Sequence, residues 1–295
     1  MTATLTSPSS IPSGAGRPDS SAVAEYRHDD VRPVSFFGVL RSEWVKLRSV
    51  RSSRTTLLAA AGVLLLVGLI AAAFNGGLLA EPPDPGDGGP DGEDPTSTVM
   101  AGLLLAPLII AVLGVMTITA EYATGTIRST MTFVPGRLPV LWAKAAVLTA
   151  VTFPVMVVAA LTTFLGGQAL LAAGDAATSS LTDPGVLRAV LGSAVYLTGV
   201  AVLGLALGTV LRGTAVAISA LFGLIFLVPG LGGFLLPAGV RDNVLLYLPS
   251  NAASSFTSVA PGPELLGTAS GAAVFAAWVV VPLFFAAAAL KRRSV

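Results

Sequence analysis

Six stretches of this chain contain no Asp, Glu, Lys or Arg: residues 56–74, 99–120, 145–165, 189–211, 214–236 and 265–290. Each runs to about 20 residues, the length an α-helix needs to cross a hydrocarbon core of about 30 Å at about 1.5 Å per residue. A soluble helix of that length would carry a polar face, and these have none. In lipid every backbone amide must be satisfied internally, so the expected fold is an all-α membrane protein with six transmembrane helices. Composition agrees, with 54% hydrophobic and 11% charged residues and a mean hydropathy of +0.82. Soluble domains are about one quarter charged.

Orientation follows from the basic residues. With the N-terminus inside, the cytoplasmic segments hold Arg41, Lys46, Arg48, Arg51, Arg54, Arg128, Arg137, Lys144, Arg212, Lys291, Arg292 and Arg293, besides Arg17, Arg27 and Arg32. Only Arg188 and Arg241 would lie outside. The positive-inside bias therefore predicts a multi-pass plasma-membrane protein with both termini in the cytoplasm. Residues 1–34 are rich in Ser, Pro, Ala and Asp and read as a disordered tail, leaving 35–295 as the membrane domain. No signal-peptide-like apolar run occurs before residue 55, so the first span is expected to serve as the signal anchor. The acidic Pro/Gly loop at 81–95 reads as a solvated external loop, with weak Ca²⁺ binding as the alternative.

Five segments stand out. Before the first span, Phe36, Phe37, Leu40, Trp44 and Leu47 fall near one helical face, with Arg41, Lys46 and Arg48 elsewhere. That is the pattern of an interfacial helix at the headgroup level, or of a juxtamembrane segment that only sets topology. After the second span, Glu121 and Tyr122 lead into a connection in which Ile127 and Met131 lie four apart beside Arg128. The spacing suits a short amphipathic helix docking on a soluble partner. Glu121 alone also reads as a hydrated carboxylate at a helix end. Gly204 and Gly208 form a GxxxG spacing that permits close helix approach, although a chain with 32 glycines produces such spacings by chance. In the fifth span Pro229, Gly230, Gly232, Gly233 and Pro237 are expected to weaken the helix in its outer third. The stretch around Tyr247, Leu248 and Pro249 is semi-apolar and reads as a short re-entrant or interfacial element before the last helix.

Several chemistries lack their residues. With no cysteine there is neither disulfide nor thiol chemistry, and the single His28 sits in the tail. No His/Cys cluster for a metal, no HExxH and no GxSxG occurs, so the chain is expected to be neither an enzyme nor a metal protein. No carboxylate, Lys, Arg or His lies within the six charge-free stretches, which argues against proton-coupled transport. A G-x-x-x-x-G-K-[ST] P-loop is also absent, so energy from ATP would have to come through another subunit. Two rivals stay open: a stand-alone secondary transporter or channel, and a non-transporting immunity or scaffold protein.

The RSEWVKLRS entry before the first span, the EYATGTIRSTMTFVPGR connection after the second and the YLPSNAASSF element before the last resemble the permease subunits of ABC-2 type ATP-binding cassette transporters, in their actinobacterial form. The resemblance covers residues 36–293, and the EYATGTIRSTM stretch is its most specific part. It implies an exporter permease lacking a cofactor of its own and working in pairs, with the same or a homologous second permease subunit. It also implies P-loop ATPase partners that hold ATP and Mg²⁺, and no nucleic-acid partner. Carried over by residue, Arg41, Glu43, Trp44 and Lys46, with Phe37 on the same segment, would form a connector helix. Glu121, Gly125, Thr126 and Arg128, with Tyr122, Ile127 and Met131 alongside, would form the ATPase-coupling segment, and none would be catalytic. The 81–95 loop and the N-terminal tail have no counterpart in that pattern.

Overall fold

A computed structural model describes residues 35–79, 94–126, 138–235, 237, 243–260, 262 and 265–292. The tail at 1–34, most of the acidic loop and the connection at 127–137, with Ile127, Arg128 and Met131, lie outside the described residues. Among those described, the chain is all helical and contains six helices long and apolar enough to cross a membrane.

Helix α1 (Phe36–Ser49) starts at Ser35, whose hydroxyl accepts the Gly38 amide at 3.2 Å and so satisfies one of the orphan donors of the first turn. After a break at Val50 comes α2 (Arg51–Asn75). A short α3 (Pro95–Val99) and a 3₁₀ turn (Met100–Leu104) lead into α4 (Ala106–Thr124). Gly125 closes α4 in the left-handed region at φ +71°, a conformation that favours glycine. Helix α5 (Leu138–Ala173) has 36 residues, about 54 Å, and so exceeds the hydrocarbon thickness. It begins about two turns before the charge-free stretch at 145. Then follow α6 (Val186–Leu211), α7 (Thr214–Leu235), the short α8 (Pro249–Thr257) and α9 (Thr268–Arg292).

Helix α6 is the centre of the bundle, with 72% of its apolar window buried against α4, α5 and α9. Helix α7, at 22%, is peripheral. Lipid is as apolar as leucine, so packing of small residues, not exclusion from water, holds such helices together. The α4–α6 contact shows how. A Cβ added at Gly204 would stand 2.8 Å from the Ala111 carbonyl oxygen, and one at Gly208 would stand 2.9 Å from Ile118 Cγ2. The GxxxG pair therefore faces α4. From the opposite side, Gly114 of α4 lies so close to α6 that a Cβ there would collide with the Ala201 carbonyl oxygen.

Helix α7 departs from expectation. It stays helical through Leu235, and its irregularity is a π-helical stretch at Gly223–Leu227, before the proline and glycine cluster rather than within it. Pro229 has no N–H to donate, and its ring crowds the carbonyl four residues back, at Ile225. A widened turn accommodates both defects.

Between α7 and α9 the chain folds back into the bundle. Trp278 donates its indole N–H to the Tyr247 carbonyl at 2.6 Å. Trp278 is ten residues into α9, which sets Tyr247 about 15 Å along that helix from its Thr268 end. From there α8 runs back along α9 with Leu248 and Pro249 buried, Ser255 against Gly271, and Phe256 between Gly192 and Phe275. Arg188 of α6 fixes the far end, donating to the carbonyls of Ser258 at 2.9 Å and Val259 at 2.6 Å and to the Thr268 hydroxyl. Hydrogen bonds from a charged donor contribute about 1.5–3 kcal/mol each. Arg188→Met is therefore expected to lower thermal stability by at least about 2 kcal/mol. Fluorescence-detected melting in detergent measures this, and an unchanged midpoint would contradict the clamp.

Candidate functional site

Helix α1 lies along the start of α5, with Val39 and Leu40 against Val140 and Ala143. Its inward stripe is Val39 and Glu43, one turn apart, followed by the half-buried Lys46 and Leu47. The aromatic residues lie on the other side of the helix. Phe37 is 79% exposed, and Trp44 and Arg41 also face away from the bundle. The inward turn is set by charge, because Glu43 finds its partners there.

Those partners form a closed ring of alternating sign. Lys46 Nζ lies 2.8 Å from Glu43 Oε1 and 3.1 Å from Glu121 Oε1. Lys144 Nζ lies 2.6 Å from Glu43 Oε2 and 2.7 Å from Glu121 Oε1. Two ammonium groups and two carboxylates cancel, so the ring carries no net charge. Its members come from α1, from the last turn of α4 and from the second turn of α5. Side-chain exposure grades around it, from 2% at Lys144 and 5% at Glu43 to 14% at Glu121 and 40% at Lys46. Burial alone would lower the Lys46 ammonium. The hydrogen bond and charge of Glu43, reinforced by Glu121, outweigh burial and hold it above the usual lysine value. A raised value means that its stabilising effect is complete below the ordinary lysine pKa and is lost only as pH rises through the folded one. The exposed arm of the ring therefore stays charged throughout the physiological range.

Glu121 Oε2 is buried without a hydrogen-bond partner among the described residues. A cavity of about 170 Å³ opens beside it, lined by Lys46, Val50, Ser52, Met116 and Thr117. One residue further on, Tyr122 sits under the Arg212 guanidinium, 5.6 Å from ring centre to Cζ, linking the end of α4 to the α6–α7 turn. Gly125 and Thr126 follow at the exposed terminus, and Thr126 shares a hydroxyl contact of 2.9 Å with Thr124.

The structure thus joins two segments that sequence had treated separately, Glu43 and Lys46 before the first span and Glu121 after the second. It also adds a residue that sequence reasoning passed over. The charge-free stretch begins at 145 and leaves Lys144 just outside it, on the side read as cytoplasmic. In the structure Lys144 lies in the second turn of the long apolar helix α5, nearly inaccessible. Windows drawn between charges must end at the first charge, whereas a helix continues past one that is neutralised in space. A signal was present: Lys144 is flanked by Leu141, Trp142, Ala143 and Ala145, Ala146, Val147 with no local acid, and Glu121 has no local base. Gly204 and Gly208 lie in the α4–α6 contact, Gly208 against Ile118 and Thr119 just before Glu121, and Tyr247, Leu248 and Pro249 lie in the folded-back segment; none is a member of the ring. No group of three or more metal-ligating side chains occurs among the described residues.

Residues 39–232 match a family model described as ABC-2 family transporter protein, which covers well over half of the chain and all four members of the ring. No curated protein matches the chain.

Proposed function

The chain belongs to the ABC-2 transporter family, and from that premise we propose that it is the membrane subunit of an ATP-driven exporter, coupled to a separate P-loop ATPase. Membership makes it a multi-pass membrane protein and a non-catalytic permease. Members of this family typically pair their membrane subunits with an ATPase. ATP and Mg²⁺ would be held by that partner, and a second permease subunit, identical or homologous, would complete the path.

The observation that carries the reading is the ring. It ties the amphipathic α1, the last turn of α4 and the second turn of α5 into one unit, at the end of the bundle from which the 127–137 connection departs and to which it returns. A push on that connection would reach three helices together. With both termini in the cytoplasm, as the distribution of Lys and Arg favours, this end faces the cytoplasm. The outward Phe37 and Trp44 then lie where a headgroup-level helix needs them. The Tyr247–Thr257 segment becomes a re-entrant element descending from the external side, a reading supported by its depth of about 15 Å along α9. Alternating access follows if closure of the ATPase dimer favours one arrangement of this unit, since a ligand shifts an equilibrium only through differential affinity for its states.

Lys144 lies inside a helix, but about 9 Å from its start, with an acid on each side. A proton relay needs a group that can discharge at mid-depth. The ring lies near the end of α5 rather than at mid-depth, and its position fits a mechanical joint. Arg128→Ala tests the coupling assignment: membrane insertion is expected to remain intact while transport-linked ATP hydrolysis falls by about tenfold, the effect of about 1.4 kcal/mol of lost coupling. Normal transport by that variant would remove the assignment.

A further inference from the structure

We propose that Lys144 is a positioning residue that docks α1 onto the transmembrane bundle, and that α1 and α4 sense each other's position through it. Helix α1 packs its backbone along α5, and its ties to the α4 carboxylate run through two ammonium groups. Lys46 provides one of them from a side chain that is two-fifths exposed. Lys144 provides the other from a site that is almost closed, and it alone bonds to both α1 and α4 from a third helix. Its remaining contact, 3.4 Å to the Thr117 carbonyl, also belongs to α4. The apolar part of the dock is small, chiefly Val39 and Leu40 on Val140 and Ala143, so the ionic part decides whether α1 stays down.

Without Lys144, two carboxylates would share the single ammonium of Lys46 at low dielectric. Their repulsion would act across the α1–α4 gap. Helix α1 should lift, exposing Val140, which is 2% accessible beneath it. Arginine at 144 keeps the charge and the two carboxylate contacts. Any consequence for transport rests on the coupling role proposed above, whereas the docking does not.

The natural absence of cysteine makes a direct test simple, because one introduced thiol is the only one in the full-length chain. Val140→Cys is placed in the otherwise native protein, purified into nanodiscs, and its reaction with a water-soluble maleimide is timed without ATPase, nucleotide or substrate. In this background the thiol is expected to be protected. Adding Lys144→Met should speed labelling by at least about tenfold, and adding Lys144→Arg should leave it protected. Should Lys144→Met fail to insert, Glu43→Gln breaks the same contact from the α1 side and should also speed labelling. Unchanged protection in every variant recovered would overturn the inference and leave the exporter reading untouched. Fast labelling with Lys144→Met but equally fast labelling with Lys144→Arg would overturn it as well, by showing that size at position 144, and not charge, holds α1 in place.

Discussion

Gly114→Leu is expected to abolish the native bundle, while Gly62→Leu in the same protein is expected to be silent. The difference lies in what each new side chain would meet. At Gly114 the first added carbon already collides with the Ala201 carbonyl oxygen of α6, a backbone atom in the most buried helix of the molecule. Backbone cannot rotate aside as a flexible side chain can, so α4 and α6 would have to separate. Gly204 and Gly208 would separate with them, because all three glycines serve one contact. Overpacking of this kind costs about 3 kcal/mol or more. At Gly62 nothing lies within 4 Å of the added carbon. The measurement is size-exclusion chromatography of the solubilised protein after a heating series. Gly114→Leu should lose the monodisperse peak at temperatures the parent survives, and Gly62→Leu should follow the parent. Equal survival of both variants would mean that α4 and α6 do not approach as closely as described.

The second large effect separates stability from function at the ionic ring. Lys144→Met alone leaves Glu43 and Glu121 buried beside a single lysine. Removing one partner of a buried pair typically costs about 3–5 kcal/mol, because the charge left behind is uncompensated. Glu43→Met together with Lys144→Met removes one charge of each sign, and the remaining Lys46–Glu121 pair is balanced and nearer solvent. Exchanging a buried pair for apolar groups is often neutral or stabilising, so the double variant should recover to within about 1 kcal/mol of the parent. Transport should not recover, since the ionic tie between α1 and α5 is gone. Thermal melting and ATP-driven transport of the single and double variants check the two halves. A ring that served stability alone would give recovery of both.

What sequence revealed and what it hid divide along a physical line. Properties carried by contiguous residues were readable: six apolar runs gave six long helices, and α1 was legible from its own periodicity. Properties that depend on pairing across the chain were not. Glu43 and Lys144 are 101 residues apart, Lys46 and Glu121 are 75 apart, and no local pattern announces that they meet. Nor does the periodicity of α1, dominated by its outward aromatic residues, show that Val39 and Glu43 form the side that meets the bundle. Gly204 and Gly208 were visible as a motif. Gly114, alone in its helix and closer to its neighbour than either, was not. In α7 the cluster of prolines and glycines identified a weak helix but misplaced the defect, since the proline perturbs the turn before it.

Co-purification of the tagged chain from native membranes solubilised in mild detergent, with the accompanying proteins identified and quantified by mass spectrometry, tests the central claim most directly. The account predicts a P-loop ATPase recovered in stoichiometric amount. Repeated recovery of the chain without any such ATPase, from membranes in which it remains folded, would contradict it and leave a protein that works alone.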